Sequence, residues 1–130
     1  MIEIESRELA DIPVLHAYPV GQKDTPLPCV IFYHGFTSSS LVYSYFAVAL
    51  AQAGLRVIMP DAPDHGSRFS GDAARRLNQF WQILLQSMQE FTTLRAAIAE
   101  ENWLRDDRLA VGGASMGAMT ALGLPLATPR

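Results

Sequence analysis

The chain has 130 residues, 49% of them hydrophobic and 18% charged, which is the composition of one folded domain with a core and not of a disordered segment. Ten Lys and Arg against thirteen Asp and Glu leave a net charge of −3, with basic residues adjacent only at Arg75-Arg76, so no nucleic-acid partner is expected. The opening Met1-Ile2-Glu3-Ile4-Glu5 is acidic and alternating where a secretion signal is basic and then apolar, and no stretch is long and apolar enough to span a bilayer, so the expectation is a cytoplasmic protein with no membrane partner.

Ile2 to Leu9 alternates apolar and charged residues, and Ile12 to Val20 follows after a short turn at Ala10-Asp11, which predicts an antiparallel strand pair. His16, inside the second strand, reads as a surface or half-buried residue. Gly21 to Pro28 is a loop by composition, and Cys29 to Tyr33 is wholly apolar, the pattern of a strand covered on both faces. Cys29 is the sole cysteine and has no activating neighbour, so it is expected to be a buried strand thiol.

Ser38 to Ser40 offer capping hydroxyls for a helix over Leu41 to Ala53, with an apolar stripe at Val42, Phe46, Ala49 and Leu50 and a stop at Gly54. Leu55 to Met59 is a second buried strand and Pro60 to Gly71 a polar loop. Asp72 then caps one long helix whose Leu77, Trp81, Leu84, Met88, Phe91, Leu94 and Ile98 recur at helical spacing and are expected in the core. Asp106-Asp107 turns the chain into Leu109 to Gly112, a third buried strand that runs into Gly113-Ala114-Ser115-Met116-Gly117 and a new helix. This order predicts an α/β fold: a mostly parallel sheet with an antiparallel N-terminal strand pair and helices on both faces.

A serine hydroxyl is a weak nucleophile until a strained turn projects it and a base takes its proton. The glycines two residues either side of Ser115 permit such a turn, and the strand-turn-helix setting matches the chemistry as well as the letters do; a tight turn of small residues is the bland alternative. A dinucleotide or phosphate loop is excluded, because Gly112 to Gly117 has neither the required glycine spacing nor a lysine. His34-Gly35-Phe36 ends the strand from Cys29, where its backbone can approach the serine; the amides of Phe36 and Met116 are candidate oxyanion donors, each typically worth about 3 kcal/mol, and His34 is expected to hold its loop. Asp61-Ala62-Pro63-Asp64-His65-Gly66-Ser67 falls at the C-terminal end of a strand, where open α/β sheets place their sites. His65 is expected to fix that loop with Asp61 or Asp64, with a role as base the lesser alternative.

The three segments, Tyr33-His34-Gly35-Phe36-Thr37, Asp61-x-x-Asp64-His65-Gly66 and Gly113-x-Ser115-x-Gly117, resemble the α/β-hydrolase superfamily in order and spacing over about residues 1 to 122. Within it the chain looks like the small bacterial carboxylesterases related to dienelactone hydrolases and prolyl-oligopeptidase catalytic domains. That resemblance implies a cofactor-free, metal-free serine esterase acting on a small-molecule ester, with Ser115 the nucleophile, Phe36 and Met116 the oxyanion donors, and Gly35, Gly113, Gly117, His34, Asp61 and His65 supporting them.

In such enzymes the acid and the base follow the serine, yet residues 116 to 130 contain no Asp, Glu or His. The expectation is therefore the N-terminal half of an α/β-hydrolase over 1–122 with an atypical, frameshifted or foreign tail over 123–130, inactive alone. Leu109 to Gly112 would then be an open sheet edge that self-associates or pairs with another chain. A noncatalytic α/β module or subunit that needs a partner chain is the second reading.

Overall fold

The structure is a computed structural model that describes residues 1–124; residues 125–130, most of the expected atypical tail, lie outside the described residues. Strands β1 (Ile2–Leu9), β2 (Ile12–Pro19) and β3 (Leu27–Tyr33) are followed by α1 (Ser44–Gln52), β4 (Arg56–Pro60), α2 (Ala73–Asn78), α3 (Phe80–Glu100), β5 (Leu104–Gly113) and α4 (Met116–Leu122). No helix among the described residues is long and apolar enough to cross a membrane.

The sheet order is β1-β2-β4-β3-β5. The β1–β2 and β2–β4 pairings are antiparallel, while β3 pairs parallel to both β4 and β5. Four strands thus point the same way and β2 alone opposes them. The β1–β2 turn sits at Ala10 and Asp11, both at positive φ (50° and 66°), the left-handed pair that a two-residue hairpin turn demands.

Side chains alternate across this sheet as the strand period requires. Leu15, Ala17, Phe32, Val57 and Met59 face α1, whereas Val14, Cys29, Ile31, Tyr33 and Ile58 face Phe91, Leu94 and Ile98 of α3. Cys29 is buried as expected, and burial pushes its thiol up to about 12.

Two helix expectations need correction. The first helix begins at Ser44, capped by Tyr43 without a side-chain bond, and its buried residues are Ala47 and Ala51, while Val42, Phe46 and Ala49 are exposed. Small residues let α1 lie close on the sheet, which a stripe of large side chains would hold off; Phe46 instead stacks on Phe32 with ring centroids 4.7 Å apart. The expected single long helix is two: Asp72 Oδ1 accepts from the Arg75 amide at 2.9 Å and caps only α2, and the chain kinks at Gln79 before α3. Leu77 and Trp81 are consequently 66% and 63% exposed, and the buried stripe runs through Ile83, Leu84, Ser87, Phe91, Leu94 and Ile98.

His16 also differs from expectation, being fully buried. Arg56, fully buried as well, donates from Nη1 to His16 Nε2 at 2.9 Å and from Nη2 to the carbonyls of Thr25 at 2.6 Å and Gln22 at 3.3 Å. A guanidinium can only donate, so His16 Nε2 carries the lone pair and Nδ1–H donates to Glu5 Oε2 at 2.7 Å. The His16 ring stacks on Trp103 at 4.3 Å, and Arg56 lies 4.8 Å from the same ring centre.

Burial, followed by the neighbouring Arg56 charge and opposed by Glu5, lowers His16 from the ordinary 6.5 to about 4. A histidine held neutral this way contributes stability that is full above about 6.5 and is lost as pH falls towards about 4, in total on the order of 3 kcal/mol. Glu5, whose carboxyl is itself held low, adds loss in the same direction. Urea unfolding between pH 7 and 4 is expected to show this fall, flattened in His16→Gln; parallel curves for the two proteins would exclude His16 as its source.

Candidate active site

The Ser115 turn is built from close backbone contacts. β5 ends at Gly113, Ser115 takes φ 56° and ψ −120°, and Met116 opens α4. A non-glycine residue there costs on the order of 1–3 kcal/mol and leaves the side chain standing out of the turn; Ser115 is exposed. A Cβ on Gly117 would lie 2.1 Å from the Tyr33 carbonyl oxygen, and one on Gly113 would lie 2.3 Å from the Gly117 carbonyl. The first turn of α4 therefore rests directly on the end of β3, where the Ala114 amide donates to Tyr33 O at 3.1 Å. Met116 is buried against Ile83 and Leu84 of α3, which anchors the helix from the other side.

The second segment meets the first. A Cβ on Gly35 would lie 3.4 Å from Ser115 Cβ and 3.1 Å from the Tyr43 hydroxyl, so glycine here lets the loop after β3 lie against the serine. Among the described residues, neither the Phe36 nor the Met116 amide donates to a backbone acceptor in a turn or loop. The Phe36 ring is committed elsewhere, packing edge-on to Phe80 at 4.9 Å and beside His65 at 5.2 Å. Tyr43 was not singled out in the sequence: nothing in its spacing shows that the turn before α1 folds back over Gly35.

The third segment braces the second. His34 Nε2 accepts from the Ala62 amide at 3.0 Å while Nδ1–H donates to Gly35 O at 2.8 Å. His65 Nε2 accepts from the Thr37 amide at 2.8 Å while Nδ1–H donates to Pro63 O at 2.9 Å. His65 thus fixes the loop, but through Thr37 and Pro63; neither Asp61 nor Asp64 binds it. The Asp61 carboxylate instead accepts from the Ser40 amide at 3.0 Å and the Ser67 hydroxyl at 3.0 Å, and Asp64 accepts from the Ser70 amide at 2.7 Å. Gly66, at φ 54°, leaves no room for a Cβ beside the Asp61 carboxylate.

Burial lowers the pKa of both His34 and His65, so each ring is neutral near pH 7. With both nitrogens of each ring bound to backbone, neither has a lone pair free for the Ser115 proton. His16, the third histidine of the chain, is engaged by Glu5 and Arg56.

An exposed serine at positive φ between a strand and a helix, faced by a glycine loop from the neighbouring strand, is the setting of a hydrolase nucleophile. Residues 24–130 match the profile of the serine aminopeptidase S33 family (Hydrolase_4). The chain belongs to this α/β-hydrolase family. It is 95% identical over 129 residues to Esterase YjfP of Escherichia coli (strain K12), covering 99% of this chain and 52% of that protein. YitV of Bacillus subtilis (strain 168) is 36% identical over 124 residues, covering 95% of this chain and 49% of that protein. The chain spans about half the length of the curated relatives it matches.

Solved structures share the fold. TT1662 from Thermus thermophilus superposes with a TM-score of 0.69 at 24% identity, over 93% of this chain and 50% of that one. A cold-adapted esterase from an Arctic intertidal metagenomic library superposes at 0.68 and 22% identity, over 93% of this chain and 53% of that one.

Proposed function

We propose that this chain carries the nucleophile half of a serine carboxylesterase that hydrolyses small, short-chain esters through an acyl-enzyme. The observation that carries the reading is the Ser115 turn, strained, exposed and apposed to Gly35. The 95% identity to an esterase supports the reaction class.

In this reaction the Ser115 oxygen attacks the ester carbonyl carbon and its proton passes to a base; the C=O π pair moves onto the oxygen, which the Phe36 and Met116 amides stabilise. Collapse expels the alcohol, which takes the proton back, and water then repeats the sequence on the acyl-enzyme. The mechanism calls on no cofactor or metal. Its base and the acid that orients it belong to the part of the esterase outside the match, since the chain's three histidines are engaged elsewhere and none follows Ser115. The 130 residues alone are therefore expected to turn over no ester. The engaged histidines equally suit the second reading, a noncatalytic α/β module completed by a partner.

A single polypeptide joining this chain to the unmatched C-terminal portion of the Escherichia coli esterase separates the two readings. Labelling of Ser115 by a fluorophosphonate, absent in Ser115→Ala, supports the esterase. A folded polypeptide that takes no label and hydrolyses no aryl ester rejects it.

A further inference from the structure

The chain's four tyrosines differ in what their hydroxyls do. Tyr18 donates to Glu3, the Tyr33 hydroxyl is buried in the core on the α3 face, and Tyr45 is 60% exposed on α1. The Tyr43 hydroxyl lies at the candidate site. It is the nearest atom to the point a Gly35 Cβ would occupy, at 3.1 Å, and Ser115 Cβ is 3.4 Å from the same point. Phenol and serine thus share the methyl-sized room that glycine leaves between the loop after β3 and the turn after β5. Gly35 precedes Phe36 and Ser115 precedes Met116, so each of the two candidate oxyanion amides is one peptide bond away along the chain.

The Tyr43 side chain is held firmly while its oxygen is left unused. The Tyr43 amide donates to Ser40 O at 3.1 Å, and the Ser40 amide donates in turn to Asp61 Oδ1 at 3.0 Å, which ties the turn before α1 to the loop after β4. Arg68 grips that loop, donating to Asp61 O at 3.1 Å and to both carboxylate oxygens of Glu90 on α3 at 2.8 Å. The Tyr43 ring is tilted against Phe32 with centroids 5.9 Å apart and stacks beside Phe46 at 6.1 Å. Among the described residues the hydroxyl makes no hydrogen bond. A phenylalanine would meet every packing requirement of the position, so packing leaves the oxygen unexplained, whereas a tyrosine hydroxyl drawn out of bulk water ordinarily has a partner.

In the acyl transfer proposed above, negative charge grows on the carbonyl oxygen as Ser115 attacks. A neutral donor already fixed in place stabilises that charge more than water does, because nothing has to reorganise at the moment of reaction. We propose that the Tyr43 hydroxyl is a third donor to this oxygen, beside the amides of Phe36 and Met116, and is therefore a catalytic residue. The phenol donates a hydrogen bond and transfers no proton. The inference rests on the esterase reading of Ser115 and adds to it a side chain that none of the three sequence segments contains.

The test is steady-state hydrolysis of phenyl and p-nitrophenyl acetate by the joined polypeptide and its Tyr43→Phe form. The substitution keeps the ring and removes only the oxygen, so the thermal midpoint is expected to equal that of the parent. Both kcat and kcat/KM are expected to fall about 100-fold with KM within about twofold, the signature of an interaction made only in the transition state. Since the oxyanion belongs to the acyl half of the ester, the factor in kcat/KM is expected to be the same for the two leaving groups. Tyr45→Phe, which removes the same oxygen from the exposed neighbour, is expected to match the parent. An active parent whose Tyr43→Phe form keeps its kcat, changes only in KM, loses less with the better leaving group, or unfolds at a lower temperature would overturn the role of Tyr43 and leave that of Ser115 standing. A parent that hydrolyses neither ester would remove the esterase reading and the role of Tyr43 with it.

Discussion

The Gly117→Ala chain is expected to lose its native fold, with a destabilisation above about 4 kcal/mol against a total of about 5–15 kcal/mol for a domain of this kind. The added carbon would sit 2.1 Å from Tyr33 O, 2.6 Å from His34 O and 2.6 Å from the Tyr33 carbonyl carbon. Carbon and oxygen in ordinary contact stand more than about 3 Å apart, and none of these obstacles is a side chain that could turn aside. Relief requires α4 to lift off β3, which breaks the Ala114 amide bond to Tyr33 O and withdraws Met116 from Ile83 and Leu84. Gly112→Ala is the internal control. There the nearest atom is Phe32 Cδ2 at 3.5 Å, an ordinary contact, so a change within about 1 kcal/mol is expected. Urea titration followed by far-UV circular dichroism reads both. Equal midpoints for Gly117→Ala and the parent chain would mean that α4 does not rest on β3 as described.

Ser115→Ala is expected to do the opposite: stability within about 1 kcal/mol of the parent, and activity of the joined polypeptide reduced on the order of 10⁶-fold in kcat. Alanine keeps the Cβ that already tolerates φ 56°, so the turn has no reason to relax. What disappears is the oxygen that forms the acyl-enzyme, and no other nucleophile stands on that turn between Gly113 and Gly117. Steady-state hydrolysis of a short-chain aryl ester measures the loss, and thermal unfolding measures the retained stability. Residual turnover within about tenfold of the parent would remove Ser115 as the nucleophile. The pair of substitutions separates the geometry of the turn, for which Gly117 makes room, from the chemistry proposed for Ser115.

Much of this was legible in the chain itself. The β1–β2 hairpin, the wholly apolar β3 and β4 runs and the G-x-S-x-G turn between β5 and α4 are local patterns, set by strand alternation, by burial on both faces and by the need for glycine where a Cβ would collide. They place Ser115 correctly at a strand-to-helix turn, and the crossovers of a right-handed α/β fold follow from their order.

Other features depend on distances between residues far apart in the chain. At helical spacing, Leu77, Trp81, Leu84 and Met88 form as good a stripe as Phe80, Ile83, Ser87 and Phe91, and only the break at Gln79 and the packing of Phe80 on Phe36 choose between them. A histidine and an arginine on separate strands give no periodic signal, yet His16 and Arg56 become one buried network because β2 pairs with β4. The partners of His65 are backbone groups, which carry no sequence signature.

Sequence alone determined that this chain makes the strand-turn-helix around Ser115 of an α/β-hydrolase, because turn, strand and glycine requirements are local and each is written within a few residues. The apposition of Gly35 to Ser115, the Tyr43 hydroxyl beside Gly35, the locking of His34 and His65 and the bare edge of β5 were decided only by the tertiary structure. Each depends on which strands become neighbours, and strand pairing is chosen by the packing of the whole sheet.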